Sequence, residues 1–255
     1  MKLQTQSLLA EERAGKIAKS GKRELIGERR GKLLYRTETP DVLIQEFTGN
    51  PPGLSTAQPG RKRSRTKEVN ALRNEISSYL FDYLEGFHIP THFIGKVSDA
   101  EMLVRNVEPI PLVLKVHNVG REPMLRLGIT TVPVLEFPII EHYYQVADDK
   151  FWVNEFHAYA LNIATPEEFK QINRLASKVN AVLRGLCDRR QLMCSHLQIE
   201  FGRYRGQILL IDELSPSTCN FLDLATQEGA DRFRLDQDDA ESALIALRHR
   251  LQVKA

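Results

Sequence analysis

The chain has 255 residues, enough for one large domain or two modest ones with a sizeable core. A formal net charge of +2 does not by itself imply a polyanionic partner, and 42% apolar with 27% charged residues is ordinary for a soluble globular protein. Three cysteines without ligand-like spacing argue against a disulfide framework, and no apolar run approaches the ~18 residues of a membrane span. We expect a cytoplasmic protein with reduced thiols and no membrane partner.

The sequence of the first 47 residues predicts a charged N-terminal extension followed by strands. Residues 1–30 are rich in charge, and Lys32–Tyr35 and Val42–Phe47 have the composition of two strands joined by a turn. Thr48–Lys67 then breaks all periodicity, which predicts a mobile loop. Its basic run, Arg61–Lys67, has no interleaved aromatic residue, so solvation is favoured over nucleic-acid binding.

The rest of the chain mixes helix and strand patterns. Val69–Leu84 places apolar residues on one helical face. Thr165-Pro166-Glu167-Glu168 is a capping box that opens a helix through about Leu186, and a last helix covers Asp239–Leu251. The residues alone leave α/β and α+β classes open. Further strand candidates are Thr91–Ile94, Glu101–Arg105, Leu112–Val116 and Val132–Glu136.

The most informative stretch is a predicted hairpin that carries two acids. His196–Phe201 alternates polar and apolar residues, Arg203-Tyr204-Arg205-Gly206 is typical of a turn, and Gln207–Asp212 closes on a carboxylate. If the loop is odd in length, Glu200 and Asp212 share a face, with Cβ atoms roughly 4.5–5.5 Å apart. Such a pair suits Mg²⁺ bound to nucleotide phosphates. The alternative is two solvated acids at strand ends, and the register decides between them.

Signatures of other chemistries are absent from the sequence. It contains no P-loop, no GxGxxG, no GxSxG elbow and no recognisable Cys–His pairing. The usual glycine-rich phosphate sites and the common nucleophilic hydrolases are therefore excluded as explanations.

Eight short motifs follow one another between about Arg30 and Leu251. They are Tyr35-Arg36-Thr37-Glu38-Thr39-Pro40-Asp41, Ile89-Pro90-Thr91-His92-Phe93-Ile94, Ile110-Pro111-Leu112, Arg126-Leu127-Gly128-Ile129, Val153-Asn154-Glu155, Ile199-Glu200-Phe201-Gly202, Asp212-Glu213-Leu214-Ser215-Pro216 and Asp231-Arg232-Phe233-Arg234. In their order and spacing the chain resembles the SAICAR synthetase family, the phosphoribosylaminoimidazole-succinocarboxamide synthases. This resemblance implies an α+β fold: an extension at residues 1–30, a small β-rich domain at 31–108, and an ATP-grasp-like mixed α/β domain at 109–255 beneath it.

The resemblance also implies an ATP-dependent ligase of purine biosynthesis. A carboxylate is phosphorylated to an acyl phosphate, and the amine of an amino acid such as aspartate attacks it to form an amide. ATP and Mg²⁺ are the implied cofactors, with Glu200 and Asp212 as catalytic and metal-binding acids and Arg30 and Lys32 as further nucleotide contacts. The implied partners are small-molecule carboxylate and amino-acid substrates, and a homo-oligomer is left open. The substrate contacts carried over are His117, Asn118, Arg121, Ser215, Asn220 and Arg234.

The chain departs from the family pattern mainly at substrate positions. Where the family has an Arg, a Ser and a second Arg for the ribotide phosphate, this chain has His117, the shortened segment 120–123 without a hydroxyl, and Asn220. The family's lysine before Ile/Leu-Glu-Phe-Gly is Gln198, and its aspartate two residues earlier is His196. Because a phosphate dianion needs several charge-assisted bonds, substrate choice is expected to differ.

Two functions from different classes remain. The first is an active ligase of this family with an altered substrate, favoured by Glu200 and Asp212. The alternative is a non-catalytic descendant that binds a nucleotide or a partner, favoured by Gln198 and by Gly49, which stands where the family has an acid.

Overall fold

Two antiparallel sheets and four helices form the part of the chain that this computed structural model describes: residues 24–48, 63–120, 134–147, 149–225, 233, 235 and 240–253. The first sheet has the strand order β1-β2-β3-β5-β4. Helix α1, Arg63–Glu85, packs on β3, β4 and β5 through its buried apolar face. The strands are Leu25–Glu28 (β1), Lys32–Arg36 (β2), Val42–Phe47 (β3), Phe93–Lys96 (β4) and Glu101–Arg105 (β5).

The second sheet has the order β10-β9-β6-β7-β8, and β11 pairs with β9. Its strands are Glu108–His117 (β6), Ile139–Val146 (β7), Asp149–Val153 (β8), Leu192–Tyr204 (β9), Gln207–Ile211 (β10) and Cys219–Asp223 (β11). Helices Glu155–Ala160 (α2) and Pro166–Asp188 (α3) precede β9, and Ala240–Leu251 (α4) packs on α1. Helix α3 packs on one face of this sheet. Every second residue of β6 and β9 therefore lies on the opposite face, away from the helix.

The two sheets are joined through the segment before β4. Thr91 forms a bridge with Leu210, and the backbone N–H of His92 donates to the carbonyl of Leu210 at 2.9 Å. One continuous apolar core runs beneath both sheets. The end of β10 is therefore fixed against the first sheet.

The α+β class and most predicted elements are confirmed. Val42–Phe47 and Glu101–Arg105 are strands with the predicted bounds, and the side chain of Thr165 caps α3 as predicted. The prediction of a loop through Lys67 is wrong at its end, because residues 63–67 already belong to α1. These residues, mostly Arg, Lys and Ser, tolerate a helix. Residues 1–23 and 49–62 lie outside the described part.

One predicted strand is misplaced. Residues 134–136 of the predicted Val132–Glu136 are not in a strand, and the next strand begins at Ile139. Strand β7 is half-buried along almost its whole length, so it lacks the alternation that would have marked it. None of the helices in the described ranges is long and apolar enough to cross a membrane.

Candidate functional site

The hairpin that carries the two acids has a tighter turn than its sequence suggested. Only Arg205-Gly206 forms the turn, with φ of 49° and 77°, the geometry of a two-residue type I′ connection. Ile211, not Asp212, is therefore opposite Glu200. The loop is even in length, so the condition for a directly opposed pair is not met, because Arg203 and Tyr204 continue the strand instead of forming the turn.

The backbone conformation of Asp212 nevertheless turns its carboxylate to the side on which Glu200 lies. Asp212 follows β10 in the left-handed region, with φ of 77°, which breaks the alternation of the strand. Its carbonyl accepts a hydrogen bond from Gln45 Nε2 at 3.2 Å. Arg30 Nη1 forms an ion pair with Glu200 and lies 4.0 Å from Asp212 Oδ2, so one guanidinium contacts both acids.

The turn between β1 and β2 supplies the cations. Its two central residues have φ of 47° and 69°, and Arg29 and Lys32 close it with backbone hydrogen bonds of 2.8 and 3.0 Å. Arg29 and Arg30 both form ion pairs with Glu200, and Lys32 Nζ lies 3.0 Å from Asp212 Oδ1. One short turn thus places three cations on two buried acids.

A second ion pair anchors this cluster to helix α1. Arg73 donates to both oxygens of Glu213 at 2.9 and 2.8 Å, and Lys32 Nζ donates to Glu213 Oε2 at 2.9 Å. Burial alone would raise the pKa of Glu213, but Arg73 and Lys32 hold that pKa well below its usual range. Glu213 therefore stays ionised and fixes both Lys32 and α1.

Electrostatics separates the two acids of the site. Burial and the neighbouring Asp212 raise the pKa of Glu200, an effect that Arg29 and Arg30 partly offset. Burial opposes ionisation of Asp212 as well, but Lys32 lowers the pKa of Asp212 below its ordinary value. The three cations of the turn outnumber the two acids, so this group of side chains favours an anion.

The donor set fits Mg²⁺ only together with phosphates. Within the described ranges, no group of three or more His, Cys, Asp and Glu side chains is placed to hold a metal ion. Mg²⁺ usually takes one or two carboxylates and completes its shell with substrate phosphates and water. Glu200 and Asp212, buried and sharing Arg30, are the pair that would hold it here.

The other end of the same sheet face carries histidines. His117 Nε2 lies 2.8 Å from Glu141 Oε2, which also accepts a hydrogen bond from the Tyr143 hydroxyl at 3.1 Å. His117 Nδ1 lies 3.2 Å from His196 Nδ1, and the two rings are 4.7 Å apart. His196 is on the same side of β9 as Glu200, four residues before it. A carboxylate and two imidazoles thus occupy the end opposite the cations.

Two lysines lie between these ends. Lys150 Nζ donates to Gln198 Oε1 at 3.0 Å, and Lys115 Nζ lies 4.3 Å above the Tyr143 ring. Lys150 is exposed, but partial desolvation, followed by repulsion from Arg30 and Lys115, lowers its pKa to about 8. The middle of the face therefore carries two lysines, one of which has a lowered pKa.

Two predicted substrate residues are engaged within the protein. Asn118 Nδ2 donates to Asn180 Oδ1 at 2.7 Å and to the Cys194 carbonyl at 2.8 Å, and Asn118 is 2% exposed. Ser215 Oγ donates to Glu213 Oε1 at 2.5 Å. Their contacts position neighbouring elements of the chain.

The remaining predicted residues divide between described and undescribed segments. Asn220 is half-buried on β11, opposite His196. Arg121 and Arg234 lie outside the described residues. The predicted Arg30, Lys32, Glu200 and Asp212 come together, and His117 and Asn220 lie near His196. Sequence patterns gave no signal for four further residues of the face or its anchor: Arg29, Arg73, Glu141 and Lys150.

Comparison with known proteins gives one consistent result. A family model described as SAICAR synthetase matches residues 26–253. Phosphoribosylaminoimidazole-succinocarboxamide synthase of Chloroherpeton thalassium is 36% identical over 236 residues, covering 90% of this chain and 98% of the relative. The synthase of the same name from Ehrlichia chaffeensis superposes with a TM-score of 0.76 at 28% identity, covering 91% of this chain and 100% of that one. A SAICAR synthetase solved in complex with ADP gives 0.77 at 29% identity, covering 91% of this chain and 98% of that one.

Proposed function

The chain belongs to the SAICAR synthetase family of ATP-dependent ligases, and from this we propose that it forms an amide between a carboxylate and the amine of an amino acid such as aspartate. The observation that carries the proposal is the set of three cations, Arg29, Arg30 and Lys32, held over two buried acids where the two sheets meet. A structural neighbour was solved with ADP, which supports the binding of a nucleotide.

The ion pairs indicate which groups would hold the nucleotide. Arg29, Arg30 and Lys32, which pair with Glu200 and Asp212, are the cations that would contact its phosphates. Glu200 and Asp212 are the carboxylates that would hold Mg²⁺. Mg²⁺, when bound, would offset the charge that builds on the transferring phosphoryl group.

The reaction then has two steps. A carboxylate oxygen of the substrate attacks the γ-phosphorus of ATP, the new C–O–P linkage forms, and the bond to the β-phosphate oxygen breaks to release ADP. The amine next attacks the acyl carbon, loses a proton and expels inorganic phosphate. Lys115 and Lys150 line the face on which the acyl group would lie.

Asp212→Asn tests the metal-binding part of this proposal. We expect it to weaken binding of Mg·ATP far more than binding of metal-free ATP, because the carboxylate is proposed to contact the ion. Isothermal titration calorimetry with and without Mg²⁺ measures both affinities, and Asp82→Asn on the exposed side of α1 is the matched control. Equal losses would make Asp212 structural, and no Mg²⁺-dependent binding at millimolar nucleotide would overturn the proposed function.

The histidine end supports a substrate other than the family's ribotide. His117 contacts the carboxylate of Glu141, and Asn220 carries no charge, so neither presents a permanent cation to a phosphate. Each charge-assisted hydrogen bond contributes roughly 1.5–3 kcal/mol, so the loss of two weakens binding by about two to four decades. Arg121 and the basic run Arg61–Lys67 are the candidates to restore it.

The substrate proposal is tested by ATP-dependent formation of the succinocarboxamide from carboxyaminoimidazole ribotide and aspartate. We expect a KM for the ribotide far above that of the Chloroherpeton thalassium relative assayed beside it. A similar KM would show that other residues rebuild the phosphate site. Nucleotide binding without turnover on any carboxylate would favour the non-catalytic alternative.

A further inference from the structure

Position 198 of β9 is where this chain lacks the lysine of the family pattern. Gln198 lies between His196 and Glu200 on the same side of the strand, midway between the histidines and the nucleotide end. The amide side chain is half-buried and carries no charge. A cation at this point of the face must therefore come from another element.

Strand β8 brings a lysine to this position. Gln145 of β7 pairs with Lys150 of β8, and Lys150 Nζ then lies 3.0 Å from Gln198 Oε1. Because this contact is to an amide oxygen and not to a carboxylate, the charge of Lys150 is not cancelled by the group it bonds. The ammonium therefore stands at the place that a lysine at position 198 would serve.

Charged groups from four elements surround Lys150. Arg30 of the β1–β2 turn and Lys115 of β6 disfavour its ammonium, whereas Glu200 of β9 and Asp212 after β10 favour it. All four groups belong to the face on which the proposed reaction takes place. The contact with Gln198 Oε1 at 3.0 Å places the Lys150 ammonium over β9, between His196 and Glu200 along that strand.

We propose that Lys150 is a catalytic residue of this chain, which replaces the family's lysine at position 198 from a different strand and binds the reacting carboxylate beside the γ-phosphoryl group. This inference rests on the proposed function. During the first step the carboxylate oxygen bonds to the γ-phosphorus and ADP leaves. Lys150 transfers no proton in this step, and its ammonium balances the negative charge that the two anions bring together.

Competitive labelling of amines tests the proposal without any acceptor substrate. Acetic anhydride labelling over a pH series, read by mass spectrometry of the peptide that contains Lys150, gives the apparent pKa of this lysine. We expect a value near the lowered pKa of about 8 in the free chain. A non-hydrolysable Mg·ATP analogue should raise it more than Mg·ADP does, because only the analogue carries a γ-phosphate.

The same samples separate the two proposals. Calorimetry showing no nucleotide binding would overturn the proposed function together with this inference. Nucleotide binding with a Lys150 pKa that is ordinary, or that responds equally to both nucleotides, would overturn this inference alone.

A swap of the two side chains supplies a second test. With carboxyaminoimidazole ribotide and aspartate as substrates, Lys150→Gln should lower kcat/KM by about ten- to a hundredfold, the loss of one charge-assisted bond. The double variant Lys150→Gln with Gln198→Lys returns the cation from β9 and should recover most of this loss. Lys170→Gln, exposed on α3, is the control. A double variant as poor as Lys150→Gln would contradict the replacement.

The pH profile distinguishes a catalytic from a structural lysine. In the native chain kcat/KM should fall as pH rises through about 8, since Lys150 loses its proton there. Lys150→Arg stays charged and should keep its activity to higher pH. Identical profiles for the two proteins would exclude the ammonium from catalysis.

Discussion

The two ends of the proposed site differ in the groups that they present. At the proposed nucleotide end, Arg29, Arg30 and Lys32 contact buried carboxylates, and Arg73 forms a bidentate ion pair with Glu213. At the other end, two imidazoles contact each other, one of them contacts a half-buried acid, and an uncharged amide lies opposite the second. Buried cations suit phosphoryl transfer, which every substrate of such a ligase needs. The end without permanent cations is the one that we propose selects the substrate.

The largest effect is expected where the nucleotide end is anchored. Glu213→Gln keeps the shape of the side chain but leaves Arg73 and Lys32 buried without their shared carboxylate. Removing one partner of a buried ion pair costs about 3–5 kcal/mol. Urea unfolding at pH 7 measures this loss as a lower midpoint at an unchanged slope.

Glu24→Gln is the control for this substitution. Glu24 also pairs with an arginine, Arg36, but its side chain is 66% exposed. We expect a change of about 0.2–1 kcal/mol. Similar losses for Glu24→Gln and Glu213→Gln would show that the nucleotide end is not held by its buried charges.

A gain of function should sharpen the contrast at the substrate end. Asn220→Arg adds a guanidinium beside His196, where the resemblance places a phosphate contact. One charge-assisted bond is worth roughly 1.5–3 kcal/mol, so the KM for carboxyaminoimidazole ribotide should fall about ten- to a hundredfold. Asn220→Gln, which changes size without charge, should leave KM unchanged. A fall in both variants would mean that packing, and not charge, limits ribotide binding.

The sequence predicted the nucleotide end better than the middle of the cleft. Glu200 and Asp212 stand in motifs of the family, and the cap at Thr165 follows from local chemistry alone. No sequence pattern shows that Tyr204 continues β9, so the sequence leaves the register of the hairpin open. The left-handed conformation of Asp212 has no sequence signal either. Local patterns describe neighbours in the chain, so they could not reveal this geometry.

Contacts between distant elements were the part that could not be predicted. The contact of Lys150 with Gln198 depends on the β7–β8 hairpin, and β7 is half-buried along its length without clear alternation. The bond between Arg73 and Glu213 joins a helix to a loop 140 residues away. The need for a glycine at position 202 becomes visible only in the fold, where a Cβ atom would lie 2.9 Å from the Glu108 carbonyl oxygen. Such pairs require the assembled sheets.

The last prediction compares the buried pair Arg73–Glu213 with a more exposed pair of the same kind, Arg203–Glu168. Arg203 donates to both oxygens of Glu168 at 2.6 and 3.0 Å, as Arg73 does to Glu213, but this pair lies at the surface. The hydrogen bond from Arg203 lowers the pKa of Glu168 below 4.5, so its stabilisation is complete above that pH and is lost as pH falls through the folded-state value.

Glu168→Gln should therefore destabilise the chain by about 0.5–1 kcal/mol at pH 7. Urea unfolding of both proteins at pH 7 and pH 3 should show the difference shrinking at the lower pH, because the carboxyl of the unfolded chain is then largely protonated and folding must release that proton. A difference that is the same at both pH values would mean that the loss does not come from the carboxylate charge, since the amide keeps an acceptor for the Thr165 N–H and its own ionisation does not change. The two pairs share the same bidentate arginine–carboxylate geometry, so the difference between this loss and that of Glu213→Gln measures what burial and the added contacts of Glu213 with Lys32 and Ser215 contribute.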